Sequence, residues 1–215
     1  MPIYPFPSDA SLVKFAKKFF RDRVGSFRKD IKICMTGNEK RDHAYFPALI
    51  TCIGFADLLS GLHAGTIQHH GLAELKAYAA CFMNTKHYSA LQLTILYECF
   101  RHKVAHLSAP YLVFDTLTKA KAFGGHQRRR VTWTVYATKR SPPIDVIDYS
   151  TPQPFKRSLR PWPMSYNCRV KISVRSFQID IIKSIYGPSG YLHHLKLHRA
   201  ARERFACCMV DIYPP

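Results

Sequence analysis

The stretch Tyr97-Glu98-Cys99-Phe100-Arg101-His102-Lys103-Val104-Ala105-His106-Leu107-Ser108 decides how the chain reads. It closes a long segment of helical apolar period, and Arg101 and His106 stand five positions apart where that segment runs out. An α-helix turns about 100° per residue, so on an ideal helix the two side chains lie roughly 140° apart. They converge if the helix ends or bends near His106, and Ser108 and Pro110 are signals for such an end. A permanent cation and a titratable imidazole at a helix end suit phosphate chemistry. Cations in a last turn also favour the helix macrodipole, and the residues alone leave both readings open.

Outward from this stretch, the period stays helical on the N-terminal side. Ser8-Asp9 is a helix start, followed by Leu12, Phe15, Ala16, Phe19 and Phe20 at helical spacing. The other face of that helix carries Lys14, Lys17, Lys18, Arg21 and Arg23, and Arg28, Lys29 and Lys32 continue the sign. Such a run is either a solvated face or a phosphate-attracting one. A turn at Thr36-Gly37-Asn38-Glu39 precedes a long helix expected from about 43 to 62, with Asp57 as its one acid. Asp57 is either exposed on a polar stripe or buried against Arg101 or His106. Gly61, Gly65 and Gly71 mark a loose connection whose histidines, 63, 69 and 70, read as surface residues. A shorter helix over 72–83 and a long one over 88–105 complete a four-helix, up-and-down bundle. Glu98, three residues before Arg101, can pair with it along one helix face.

Arg101, four intervening residues and His106, with polar His102 directly after the arginine, resemble the R-x4-H motif of HEPN domains. The phrase from Phe100 to His106 resembles that family's wording of apolar, Arg, polar, x, apolar, small, His. Leu49-Ile50-Thr51-Cys52-Ile53-Gly54-Phe55-Ala56-Asp57-Leu58-Leu59 also resembles a HEPN core helix. The likeness covers roughly residues 40–110. It implies a HEPN-like helical bundle and, as in many members, a metal-independent endoribonuclease acting as a homodimer with two motifs facing one cleft. The product would be a 2′,3′-cyclic phosphate. A toxin–antitoxin or antiviral defence role, with a nucleotidyltransferase-type antitoxin as partner, follows from the same likeness.

Beyond Pro110 the period changes. Residues 111–114 and 131–136 are β-branched and aromatic runs that read as strands. The loop between them holds Lys121, Arg128, Arg129 and Arg130, a set suited to a phosphate backbone. Residues 139–167 are rich in proline and read as a long loop. Residues 169–174 alternate as another strand, Ser176 is a helix-cap candidate, and a last helix is expected over about 189–210. That helix carries His194 and His198 at i, i+4 without an H-E-x-x-H context, so no metal site is expected.

The resulting expectation is a mainly α (α+β) single domain over 1–215. A helical core spans 8–110, a small strand appendage and proline-rich excursion 111–174, and C-terminal helices 175–215. The formal charge of +18 favours a polyanionic partner, and RNA is the one the motif needs. Seven cysteines without C-x-x-C or zinc-finger spacing read as reduced thiols. With no signal peptide and no membrane span expected, the location is cytoplasmic. No cofactor is called for. In this reading His106 moves the proton of the ribose 2′-OH and Arg101 clamps the phosphate. His102 is a second proton carrier or phosphate ligand, Asp57 and Glu98 are supports, and Lys103 adds positive potential. The alternatives are a non-catalytic RNA-binding or regulatory HEPN dimer, and a structural module that uses the bundle only to dimerise.

Overall fold

The computed structural model describes residues 6–36, 44–68, 71–98, 113–114, 129–154 and 165–214, with backbone alone at 113–114 and 129–130. The elements run α1 (Asp9–Met35), α2 (Tyr45–Ala64), α3 (Leu72–Phe82), α4 (Ala90–Ile95), β1 (Val113–Phe114), β2 (Arg129–Tyr136), β3 (Ile144–Pro154) and β4 (Ser165–Ser173). They close with α5 (Val174–Tyr186), α6 (Tyr191–Leu197) and α7 (Arg199–Ile212). Helices predominate, with one small sheet, as expected of a mainly α chain.

α1 starts where the sequence says it does. Ser8 Oγ accepts from Ser11 N–H at 3.2 Å and Ser11 Oγ accepts from Ser8 N–H at 3.1 Å, a reciprocal cap that satisfies two terminal donors. Leu12, Ala16, Phe19, Phe20, Val24, Phe27 and Ile31 form its buried stripe. Phe20 meets Tyr191 edge-on at 5.8 Å and Phe205 at 6.0 Å, so α1 packs on α6 and α7 through rings. Phe6, just before the cap, lies 5.2 Å from Phe15 and carries the N-terminal segment back onto the helix. Arg202 closes the same end by a 2.7 Å ion pair to Asp9.

α2 is the central helix, and it contacts α1, α3, α5 and α7. Among the described residues it is the one helix long and apolar enough to cross a membrane, and over half of its most apolar stretch, 56%, is buried in the core. It ends in a left-handed cap at Gly65, φ 90°. A Cβ there would stand 2.9 Å from Cγ of Arg204, whose stem lies across the turn. Gly65→Ala is therefore expected to destabilise the fold by about 1–2 kcal/mol. Thermal unfolding should show this as a lower Tm; an unchanged Tm would mean the turn relaxes without strain.

The strands are not an appendage. Val131, Ile144, Cys168, Val170 and Ile172 belong to the same buried cluster as the helices. The sheet order is β1-β2-β4-β3, with β2 parallel to β4 and β3 antiparallel to it. β4 alternates: Tyr166, Cys168, Val170 and Ile172 point inward, and Arg169 and Lys171 between them are half-buried.

The expected loop over 139–167 is corrected by β3 and the first part of β4. Proline was the signal that misled. Among the described residues β3 is an outer strand bonded on one side, so Pro152 and Pro154 remove no ladder donor needed there, and the register slips between Asp148 and Gln153.

Three boundaries also differ from expectation. The cap of α5 is Ser173, whose Oγ accepts from Ser176 N–H at 3.1 Å, because β4 passes into α5 without a loop. The expected helix over 189–210 is two helices broken at His198, whose φ of −116° and ψ of 118° are extended. The expected helix over 88–105 is regular only from Ala90 to Ile95, and residues 96–98 wind as a π turn. Its remainder lies outside the described residues.

Candidate functional site

Arg101, His102, Lys103, His106, Lys121 and Arg128 lie outside the described residues. The supporting acids are placed. Asp57 is half-buried near the middle of α2, where its backbone carbonyl accepts from Ser60 Oγ at 2.7 Å. Glu98 is half-buried in the π turn, three residues before Arg101. Tyr97 beside it is buried, so this turn is anchored to the core. Arg129 and Arg130 begin β2, where their backbones pair with Phe114 and Val113. Expected to be loop residues, they are strand residues.

The cationic run on α1 becomes a surface. Lys14, Lys18, Arg21, Arg28 and Lys32 are all exposed. At about 100° and 1.5 Å per residue they fall within a sector of roughly 80° and extend over about 27 Å of helix. Asp22 and Asp30 lie off that sector, at about 80° and 160° from Lys14. Arg21 reaches Asp22 at 3.5 Å, an exposed pair that leaves its guanidinium open to other acceptors. Tyr186, 46% exposed at the end of α5, sits beside the stripe. Burial pushes its phenol up from the ordinary value, while Arg28 and then Arg21, within electrostatic reach, pull it down. The stripe was legible from charge alone. The neighbouring ring was not, because Tyr186 is remote in sequence.

A second cluster, of histidines and an arginine, was legible in the sequence only as the His194/His198 spacing. His63 closes α2, is half-buried, and points toward α6 and α7. Its ring lies 5.2 Å from Phe82 and 6.1 Å from His194. His194 in turn stacks at 4.2 Å on His198. His63, Glu74 and Arg204 line an open hollow of about 380 Å³ between α2, α3 and α7. The expectation that His63 is a plain surface residue is thus corrected. Among the described residues no three His, Cys, Asp or Glu side chains gather as metal ligands.

Burial, then the Arg204 charge, then His194 depress the His63 imidazole from 6.5 to about 4. His194 is lowered by burial first, then by His198 and Arg204. A histidine held neutral in the fold and protonated in the unfolded chain costs stability in acid. The unfolded chain binds the extra proton between about pH 6.5 and 4. This cost is absent above about 6.5 and grows as pH falls toward 4, below which it is constant. Denaturant melts across that window should show stability falling with pH, and His63→Gln should flatten the slope. An equal slope in the variant would assign the effect elsewhere.

Compared with protein-family models, curated proteins and solved structures, the chain matches none of them. What fold and site define together is a helical domain with a small mixed sheet inside its core and a cationic face along its first helix.

Proposed function

We propose that this protein is a metal-independent endoribonuclease of HEPN type, in which Arg101 holds the scissile phosphate and His106 moves the proton of the 2′-OH. The observation that carries the reading is the spacing of Arg101 and His106 in the sequence that follows a helix whose residues 96–98 wind as a π turn. Arg101 and His106 are five apart. π turns are also frequent at functional sites. The fork of an arginine fits phosphate oxygens, and an imidazole titrates where a base for the 2′-OH is needed. His102 supplies a second proton carrier or a phosphate ligand, and Lys103 adds positive potential.

The exposed stripe on α1 supports RNA as the substrate. Its cations are spaced by several ångströms along a line, as a backbone requires, and Tyr186 offers a ring on which a base can stack. The α1 face lacks the apolar wedge by which a surface helix enters lipid, since its apolar side is buried in the core and Ile33 is its one strongly exposed large aliphatic. Each protomer brings few catalytic groups, so a homodimer with two motifs at one cleft is the arrangement proposed. A defence or toxin role, with an antitoxin partner of nucleotidyltransferase type, extends the same proposal.

The test is cleavage of a mixed RNA pool in EDTA, with DNA of equal length as control. RNA should be cut to ends carrying 2′,3′-cyclic phosphate, and DNA should bind uncut because it lacks the 2′-OH. A requirement for a divalent ion, or equal cutting of DNA, would end the proposal. The dimer is checked by light scattering on the same active preparation, where a monomer mass would remove it. The second reading, an RNA-binding protein without turnover, rests on the α1 stripe alone. It predicts salt-sensitive binding with no cleavage.

A further inference from the structure

The cluster around His63 is built wholly from described residues and has an electrostatic oddity. Arg204 and His63 line one hollow, and His194 stands 6.1 Å from His63 between it and His198. The side-chain atoms Arg204 Nε and His63 Nδ1 are both buried and without a hydrogen-bond partner among the described residues. A half-buried guanidinium normally meets a carboxylate or a carbonyl. The carboxylate that lines the hollow, Glu74, has Oε2 held by Gly71 N–H at 2.7 Å. The tertiary fold holds the cluster rigidly. Tyr191 donates to the Leu62 carbonyl at 2.8 Å, Tyr78 and Ser184 share a 2.8 Å bond, and the Arg204 stem lies across Gly65. The groups facing His63 are Glu74, Tyr78 and Phe82 from α3, Tyr191 and His194 from α6, with His198 behind, and Arg204 from α7.

We propose that this hollow binds a phosphate monoester, with the Arg204 guanidinium and the His63 imidazole facing its oxygens from two sides and His194 adding charge when protonated. Donors arriving from α2 and α7 suit a tetrahedral anion with three terminal oxygens. A planar carboxylate would be satisfied by the guanidinium fork alone. A volume of about 380 Å³, open on one side, leaves room for more than the anion. Glu74 on the facing wall disfavours a bare dianion and favours one carried on a molecule with hydroxyl donors, such as a nucleotide. An anion beside Arg204 offsets the positive charge that, after burial, keeps His63 neutral, so His63 should take up a proton as the ligand binds.

The experiment follows the imidazole C–H signals of His63 and His194 by NMR at pH 6. The probes are inorganic phosphate, a nucleoside 5′-monophosphate, the bare nucleoside and sulfate. Binding of both phosphates, with the His63 titration midpoint moved upward, supports the site, and tighter binding of the monophosphate assigns the nucleotide as its source. Arg204→Met keeps the stem over Gly65 but removes the donors, and should weaken binding about tenfold or more. Ala77→Glu places a like charge on an exposed wall position of α3, tolerated by the helix, and should do the same. Signals that ignore both phosphates, that move equally with sulfate or with the bare nucleoside, or that respond unchanged in both variants would overturn the site. No RNA cleavage is read, so this outcome and that of the nuclease proposal are independent.

Discussion

His106→Ala is expected to lower RNA cleavage by about 10²–10⁴-fold, the usual value of a positioned proton carrier. Arg101→Ala should lose an effect of comparable size, because the charge developing on the phosphorane is then left without its clamp. Arg101→Lys should recover little, since an ammonium cannot fork onto two oxygens. In the proposed mechanism the two residues serve one step, so the double variant should be scarcely worse than either single one. Single-turnover cleavage under saturating enzyme separates these losses from binding. RNA affinity measured beside it should change little for His106→Ala. Full activity in a folded His106→Ala protein would remove this residue from the reaction and with it the proposed mechanism. His102→Ala distinguishes the two roles assigned to that residue: a proton carrier shifts the pH profile, whereas a phosphate ligand lowers affinity without moving the profile.

The second large effect is expected on binding. Changing Lys14, Lys18, Arg21, Arg28 and Lys32 together to glutamine removes five charges from one exposed line. If each neutralises one phosphate of a single strand, the slope of log K against log salt should become shallower by roughly 3 to 4. At about 0.1 M salt the affinity should fall on the order of 10³-fold by the same counterion relation. Tyr186→Ala should cost a further stacking contribution of about 1–3 kcal/mol, independent of salt. None of the five lysines and arginines is in the buried stripe of α1, so the fold should persist, and circular dichroism checks this. A salt slope equal to wild type would place the RNA on another surface. Tight binding to anionic vesicles, lost in the same variant, would instead identify the face as lipid-binding.

Much of the helical part was legible because the period of the apolar residues there is physically forced. α1 buries Leu12, Ala16, Phe19 and Phe20 as spaced, and Ser8 caps it, since an amphipathic helix and its cap are local matters. The charge of α1 was legible for the same reason. β2 and β4 were visible from alternation and β-branching, although their pairing was not. The break at His198 had no strong local signal: no glycine or proline stands there, and the extended backbone lets α6 and α7 pack separately against α1. β3 was hidden by its prolines, which suit a strand that, among the described residues, is bonded on one side.

Of the candidate sites, the sequence by itself determined those that depend on residues near one another along the chain: the Arg101/His106 spacing, the α1 stripe and the overall excess of positive charge. Only the tertiary structure decided that the strands share the helical core and that Tyr186 stands beside Arg21 and Arg28. It alone brought His63, Glu74 and Arg204 to one hollow from three helices. Local pattern encodes which face of an element is buried. It does not encode which other element covers that face, because this depends on the packing of the whole core at once.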